Sequence, residues 1–291
     1  MGTPWRPDPA WEVVERAEAA LGEPIAPLLL DASADDLSRT RQAQLAVLVT
    51  SLVAWEAARG ALPAPVAFAG HSLGQVTALI ASGALAFDDG IRFAAARATA
   101  TQDAADRHPG AMTALVGASI EQATEACTAA PDQCWIANDN APGQVVIAGT
   151  PAGLEAGAGR ARQLGVRRAL PLAVGGAFHT PLMNDATESL AGTLADITFR
   201  APTAPVVSNL DALAHDDTDW RGPSARHVSA AVRWRESLET LRALRPHYFV
   251  EIGHGTMLAA LAKRTTPDVP VISLGAPSEI DHLAALTDAS S

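Results

Sequence analysis

Residues 70 to 74 read Gly70-His71-Ser72-Leu73-Gly74, a Gly-X-Ser-X-Gly pattern. A serine in this spacing suits nucleophilic acyl transfer. A strand that turns abruptly into a helix pushes the hydroxyl out of the fold, and the two glycines permit the strained turn without a Cβ clash. Ser72 is the candidate nucleophile. The helix that follows would aim its N-terminus, and the N–H of Leu73, at an oxyanion formed on an attacked carbonyl.

Such a serine needs a base, and the chain has eight histidines. His179 is the best placed, within Gly175-Gly176-Ala177-Phe178-His179-Thr180-Pro181-Leu182-Met183, where glycines and a proline shape a loop after the strand-like run Ala169 to Val174. His71, beside the nucleophile, is expected to point into the core. His108, His215, His227, His247 and His254 stand in polar or turn-rich surroundings that suit solvated surface histidines. Pairing with the elbow makes His179 the candidate general base.

Regular elements must hold these groups in place. The apolar run Pro65 to Gly70 reads as a short buried strand before the elbow, and Val76 to Gly83 as the helix after it. Trp11 to Leu21 and Arg41 to Arg59 read as helices, as does Asp89 to Arg97. From Ala111 the pattern changes to strand (Met112 to Val116), helix (Ser119 to Ala129), strand (Trp135 to Asn138), strand (Gln144 to Ala148), helix (Pro151 to Leu164) and strand (Arg168 to Val174). That is the βαββαβ order of a ferredoxin-like unit. Asn138, Asn140 and Gln144 either line a cleft or close a tight turn, the turn being the simpler reading. The stretch from Ala276 to Ser291 reads as a loosely packed terminus.

The chain resembles the malonyl-CoA:acyl carrier protein transacylase family, which includes the acyltransferase domains of fatty acid and polyketide synthases. Besides the two segments above, the resemblance rests on Gly110-Ala111-Met112-Thr113-Ala114-Leu115-Val116-Gly117 and on Asn138-Asp139-Asn140-Ala141-Pro142-Gly143-Gln144-Val145-Val146-Ile147-Ala148-Gly149. Further on come Pro205-Val206-Val207-Ser208-Asn209, Val232-Arg233-Trp234 and Val250-Glu251-Ile252-Gly253. It implies an α/β fold: an α/β-hydrolase-like catalytic domain (residues 1-110 and 176-291) interrupted by a ferredoxin-like small subdomain (residues 111-175), with the site in the cleft between them. The implied partners are malonyl-CoA, as substrate, and an acyl carrier protein.

Residue by residue, the resemblance matches Arg97 to the arginine that pairs with the free carboxylate of malonate. A planar guanidinium suits that task, because its paired N–H groups fit a carboxylate and stay charged when partly desolvated. Relatives usually follow it with glycine, whereas this chain has Ala98. In the family a backbone carbonyl orients the histidine, so no aspartate is nominated. Phe178, directly before His179, should crowd any branch at C2 of the acyl group, and Leu73 points the same way. Malonyl is therefore the favoured group over methylmalonyl, by about 1 to 3 kcal/mol per methyl. Family members also begin with a strand and a Gly-Gln-Gly-Ser-Gln type loop, which supplies the second oxyanion N–H. The first residues here match the segment after that loop, and the expectation is a native product that extends upstream.

Composition is consistent with this reading. The chain has 291 residues, 48% apolar, enough to bury a sizeable core. A net charge of −11 argues against nonspecific binding to nucleic acid or an anionic membrane. An acidic carrier protein would then need a local basic patch. Arg160, Arg162, Arg167 and Arg168 are candidates for carrier docking or for the CoA phosphates, a solvated helix face being the alternative. With no eighteen-residue apolar window and no signal-peptide pattern, the expected location is the cytoplasm. A monomer is expected. Cys127 and Cys134, without further ligand-spaced residues, are expected to be reduced thiols, with neither disulfide nor metal. No cofactor is called for. Two other functions use the same scaffold, a hydrolase that clears acyl groups from carrier proteins and a non-catalytic docking subunit.

Overall fold

The computed structural model describes residues 1–280 and Leu283. Four helices open the chain, α1 (Glu12–Leu21), α2 (Ala26–Leu30), α3 (Ala34–Ser38) and α4 (Thr40–Ala58). Helix α4 is buried on nearly every side through Leu45, Leu48, Val49, Leu52 and Val53, so it forms the middle of the large core and not a one-sided surface helix. The chain then reaches the elbow and enters α5 (Leu73–Ala81) and α6 (Phe87–Arg107). Helix α6 lays Ile91, Phe93, Ala94 and Ala104 into the same core.

The expected strand from Pro65 to Gly70 is reduced to one bridge, Phe68 beside Val206 in parallel. Phe68 gives its N–H to the Pro205 carbonyl and accepts from the Val207 N–H, so pairing on this side starts and stops at one residue.

Six elements then follow in the expected order: β1 (Ala111–Val116), α7 (Ile120–Cys127), β2 (Cys134–Ala141), β3 (Gln144–Gly149), α8 (Pro151–Gln163) and β4 (Arg168–Pro171). The sheet runs β2-β3-β1-β4, antiparallel throughout. This is the ferredoxin-like arrangement, with Leu115, Val145 and Ile147 of the sheet packed on Ala123, Leu154 and Ala161 of the two helices. A capping box between Ser119 and Gln122 starts α7, and Thr150 followed by Pro151 starts α8. The turn lies at Pro142-Gly143, with Gly143 at φ 73°, so Asn138 and Asn140 belong to β2 itself.

The chain returns to the large region through α9 (Asn184–Leu194), β5 (Val206–Val207), β6 (Ala214–His215), α10 (Arg221–Arg226) and α11 (Trp234–Ala243). It ends in a parallel unit, β7 (Phe249–Ile252), α12 (Met257–Thr265) and β8 (Val271–Leu274). No helix among the described residues is long and apolar enough to cross a membrane. The expectation of a loosely packed tail falls mostly on residues outside those described.

Candidate active site

Ser72 caps the N-terminus of α5 with φ 54° and ψ −111°, a conformation that costs a non-glycine residue about 1 to 3 kcal/mol. Two buried contacts hold it there. Its N–H donates to Asn209 Oδ1 at 2.8 Å, and the Asn209 N–H donates to Gln75 Oε1 at 2.7 Å. Only one of the two elbow glycines is required by sterics. A Cβ on Gly70 would stand 1.9 Å from the Gly74 carbonyl oxygen, whereas one on Gly74 would meet open space.

The structure brings Ser72, His179 and Arg97 together from the elbow, the loop after β4 and helix α6. Ser72 Oγ lies 2.7 Å from His179 Nε2 and accepts from Arg97 Nη2 at 3.1 Å. The backbone of His179 sits at φ 62° and its N–H donates to the Val228 carbonyl. On the other side of the ring, Nδ1 faces the carbonyls of His227 at 3.0 Å and Ala230 at 3.1 Å. Two acceptors there require the proton on Nδ1, which leaves the Nε2 lone pair for the serine O–H. Burial, aided by the nearby Arg97 charge, pushes the His179 imidazole down to about 3. It is therefore neutral at pH 7, with its Nε2 turned to the Ser72 hydroxyl.

Arg97 is only 4% exposed, and burial alone pulls its guanidinium down to about 10, still charged at neutral pH. Its other nitrogen, Nη1, donates to Gln44 Oε1 on α4. Leu73 is the first residue of α5, where backbone N–H groups have no intrahelical acceptor. Phe178 is half-buried at the seam, packed against both the large core and the cluster of Met112, Ala137 and Ala177.

Three sequence expectations change here. His71 does not point into the apolar core: its Nε2 reaches Asn140 Oδ1 at 2.8 Å, and its ring meets Trp234 edge-on. Asn140 thus lines the cleft, while Gln144 accepts from Arg264. His227 is not a surface histidine. It is 2% exposed, its ring centroid is 5.3 Å from that of His179, and its own Nε2 has no hydrogen-bond partner. Burial holds it well below the ordinary histidine range. Of the arginine cluster, Arg160 is engaged by Glu125 and Gln163, while Arg167 and Arg168 are exposed at the start of β4.

Sequence reasoning missed Gln44, Gln75 and Asn209. Gln75 had one usable signal, a long polar side chain inside an otherwise largely apolar helix.

The chain matches the acyl transferase domain over residues 8–277. The malonyl CoA-acyl carrier protein transacylase of Escherichia coli K12 is 36% identical over 273 residues, 92% of this chain and 88% of that protein. Among solved structures, an acyl carrier protein S-malonyltransferase from Vibrio cholerae superposes with a TM-score of 0.90 at 32% identity, covering 94% of this chain and 91% of that one. A malonyl-transacylase solved with its type II polyketide synthase acyl-carrier protein gives 0.91 at 31% identity, covering 95% and 91%. With a nucleophile elbow, a carbonyl-oriented histidine and these relatives along nearly its full length, the chain belongs to the acyl transferase domain family, among the malonyl CoA-acyl carrier protein transacylases.

Proposed function

We propose that the chain moves a malonyl group from malonyl-CoA to the phosphopantetheine thiol of an acyl carrier protein, through an ester on Ser72. The observation that carries this reading is the buried guanidinium of Arg97, 3.1 Å from the Ser72 hydroxyl. A buried cation that meets only amide and hydroxyl oxygens is costly, and a substrate carboxylate would offset that cost. A hydrolase for simple acyl groups or a docking subunit has no use for it.

In the first half-reaction His179 Nε2 removes the Ser72 proton as Oγ attacks the thioester carbonyl. The oxyanion collects at the N–H of Leu73 and the positive end of α5. The C–S bond then breaks, CoA leaves as a thiol with the proton from His179, and Ser72 carries the malonyl group. In the second half-reaction the carrier thiol gives its proton to His179 and attacks the ester, returning the proton to Ser72. Arg97 holds the carboxylate through both halves, and Phe178 restricts branching at C2.

Residues 111-175 form the small subdomain in this reading, and 1-110 with 176-291 the catalytic domain. For the carrier, we assign the exposed Arg167 and Arg168 at the start of β4 and the exposed Leu170, Leu172 and Val174 that lead into the His179 loop. Basic and apolar groups on one strip fit an acidic partner whose thiol must reach Ser72. We place the reaction in the cytoplasm.

The test is intact-protein mass after brief exposure to malonyl-CoA or acetyl-CoA, on the wild type and on Ser72→Ala. A malonyl adduct on the wild type alone is expected, discharged by added carrier protein and not by water. Adducts that vanish at the same rate without the carrier would turn the reading to hydrolysis.

A further inference from the structure

Outside the catalytic cluster, the described residues hold one close pair of nucleophilic side chains. Cys127 ends α7 and Cys134 begins β2, and both are free thiols with Sγ atoms 3.7 Å apart. The six residues between them fold back tightly. The Ala130 N–H donates to the Cys127 carbonyl at 3.2 Å, and the Cys134 N–H to the Ala130 carbonyl at 3.1 Å. The two cysteine backbones are thus pinned side by side by consecutive hydrogen bonds. A disulfide would bring these sulfurs from 3.7 Å to about 2.05 Å.

The two thiols differ in access. Cys127 is half-buried at the end of a surface helix, within reach of a small solute, whereas Cys134 is 3% exposed in the core of the small sheet. Gly157 on α8 makes room for it, since a Cβ there would stand 2.9 Å from Cys134 Sγ. The contact with Cys134, with burial behind it, raises the Cys127 thiol, whereas the same contact lowers Cys134, so access favours Cys127 as the attacking sulfur and acidity favours Cys134.

We propose that Cys127 and Cys134 are an oxidisable dithiol that hydrogen peroxide converts into a reversible intramolecular disulfide. The first of the two sulfurs to ionise attacks the peroxide oxygen as its thiolate, an S–O bond forms as the O–O bond breaks, and the departing hydroxide takes up a proton as water. The second thiolate then attacks that sulfenic sulfur, forming the S–S bond as the S–O bond breaks and a second water leaves. Two thiols and one peroxide become one disulfide and two waters, so sulfur supplies both electrons. The bridge would tie α7 to the start of β2, the strand whose far end carries Asn140 to His71.

Treating the reduced wild-type protein with hydrogen peroxide tests this. The expected result is loss of two hydrogens by intact mass, a crosslink between the peptides containing Cys127 and Cys134, and full reversal by dithiothreitol. Of Cys127→Ser and Cys134→Ser, the variant that keeps the attacking sulfur should accumulate oxygen on it, because its resolving thiol is gone, and neither should form the crosslink. Gain of oxygen by the wild type without a crosslink, a disulfide joining two chains, or no reaction would each overturn the proposal.

Discussion

Between Ala111 and Pro171 the backbone keeps to regular ladders and capped helices, whereas the segments that carry Ser72 and His179 depart from local preference at both residues. In the small region the positive φ angles fall on Gly117, Gly143 and Gly165, which adopt them freely, and on Asp132 in a turn. In the large region they fall on Ser72 and His179 themselves, besides Ala212, Arg245 and four glycines. Charge follows the same division except at the seam, where the small region buries Asp139 against Arg235. The small region pairs Arg160 with Glu125 at its surface, while the large one buries Arg97 against Gln44 and Ser72 and buries two histidines beside it. The difference teaches where the stability of this fold is spent: strain and buried charge gather around Ser72, and a regular neighbour is left to hold the cleft's other wall. The regularity fades where the two meet. Strand β2 shifts register at Ile136/Asn138 and at Asp139/Ala141, the stretch that reaches His71 and Arg235.

The sharpest way to break the contrast is to remove the buried charge. Arg97→Ala should slow acylation by malonyl-CoA by about 2 to 5 kcal/mol of transition-state stabilisation, and acylation by acetyl-CoA far less, since only malonyl brings a carboxylate. Quenched-flow mass spectrometry reads both rates. Equal losses with the two substrates would mean that Arg97 acts on Ser72 and not on the acyl group.

The buried histidines predict a pH effect of defined sign. In the unfolded chain a histidine takes its proton near the ordinary value of 6.5, but in the folded protein His179 resists until about pH 3 and His227 is also held low. Below 6.5 the unfolded state therefore binds more protons, and stability falls as pH drops. Each buried histidine contributes up to about 1.4 kcal/mol per pH unit. Urea melts at pH 7.5 and 5.5 should show the loss, and His227→Gln should flatten it. An unchanged slope in that variant would place the titration elsewhere.

Much of this was legible in the sequence, and the reason divides along the same line. The βαββαβ unit is written in short-range signals: short apolar runs at β1 and β3, the Ser119/Gln122 box, the Pro-Gly turn. The elbow was legible because Ser72 and its neighbours are contiguous, and His179 because its loop is marked by glycines. What stayed hidden is made by distant parts of the chain. Gln44 meets Arg97 across 53 positions, Asn209 meets the Ser72 N–H across 137, and His227 is buried by the return of α9 and α10. No local pattern encodes those encounters. The strand before the elbow failed for the opposite reason, since its apolar run is local but its pairing depends on neighbours, and Phe68 alone bridges.

The elbow glycines sharpen the comparison at the scale of one methyl group. Gly70→Ala drives a Cβ into the backbone of Gly74 and should cost about 1 to 3 kcal/mol or more, together with acylation. Gly74→Ala, facing open space within α5, should be neutral or stabilise by up to about 1 kcal/mol. Thermal melts of the pair distinguish steric need from sequence habit. Equal destabilisation would show that both glycines are needed for the turn.

The smallest effect tests whether the regular region is only a wall. In Ser119→Ala the side chain that accepts from the Gln122 N–H at 3.2 Å is lost, while the backbone N–H of residue 119 still donates to Gln122 Oε1. That should cost about 1 kcal/mol of stability. The cap lies at the start of α7, and the links from this region to the site run through Asn140 at the other end of β2. Acylation of Ser72 by malonyl-CoA should therefore keep its wild-type rate at temperatures where the variant is folded. A variant that melts as expected but also acylates slowly would show that the position of Asn140 depends on how well α7 is anchored, and that the two regions are coupled through β2 as well as adjacent.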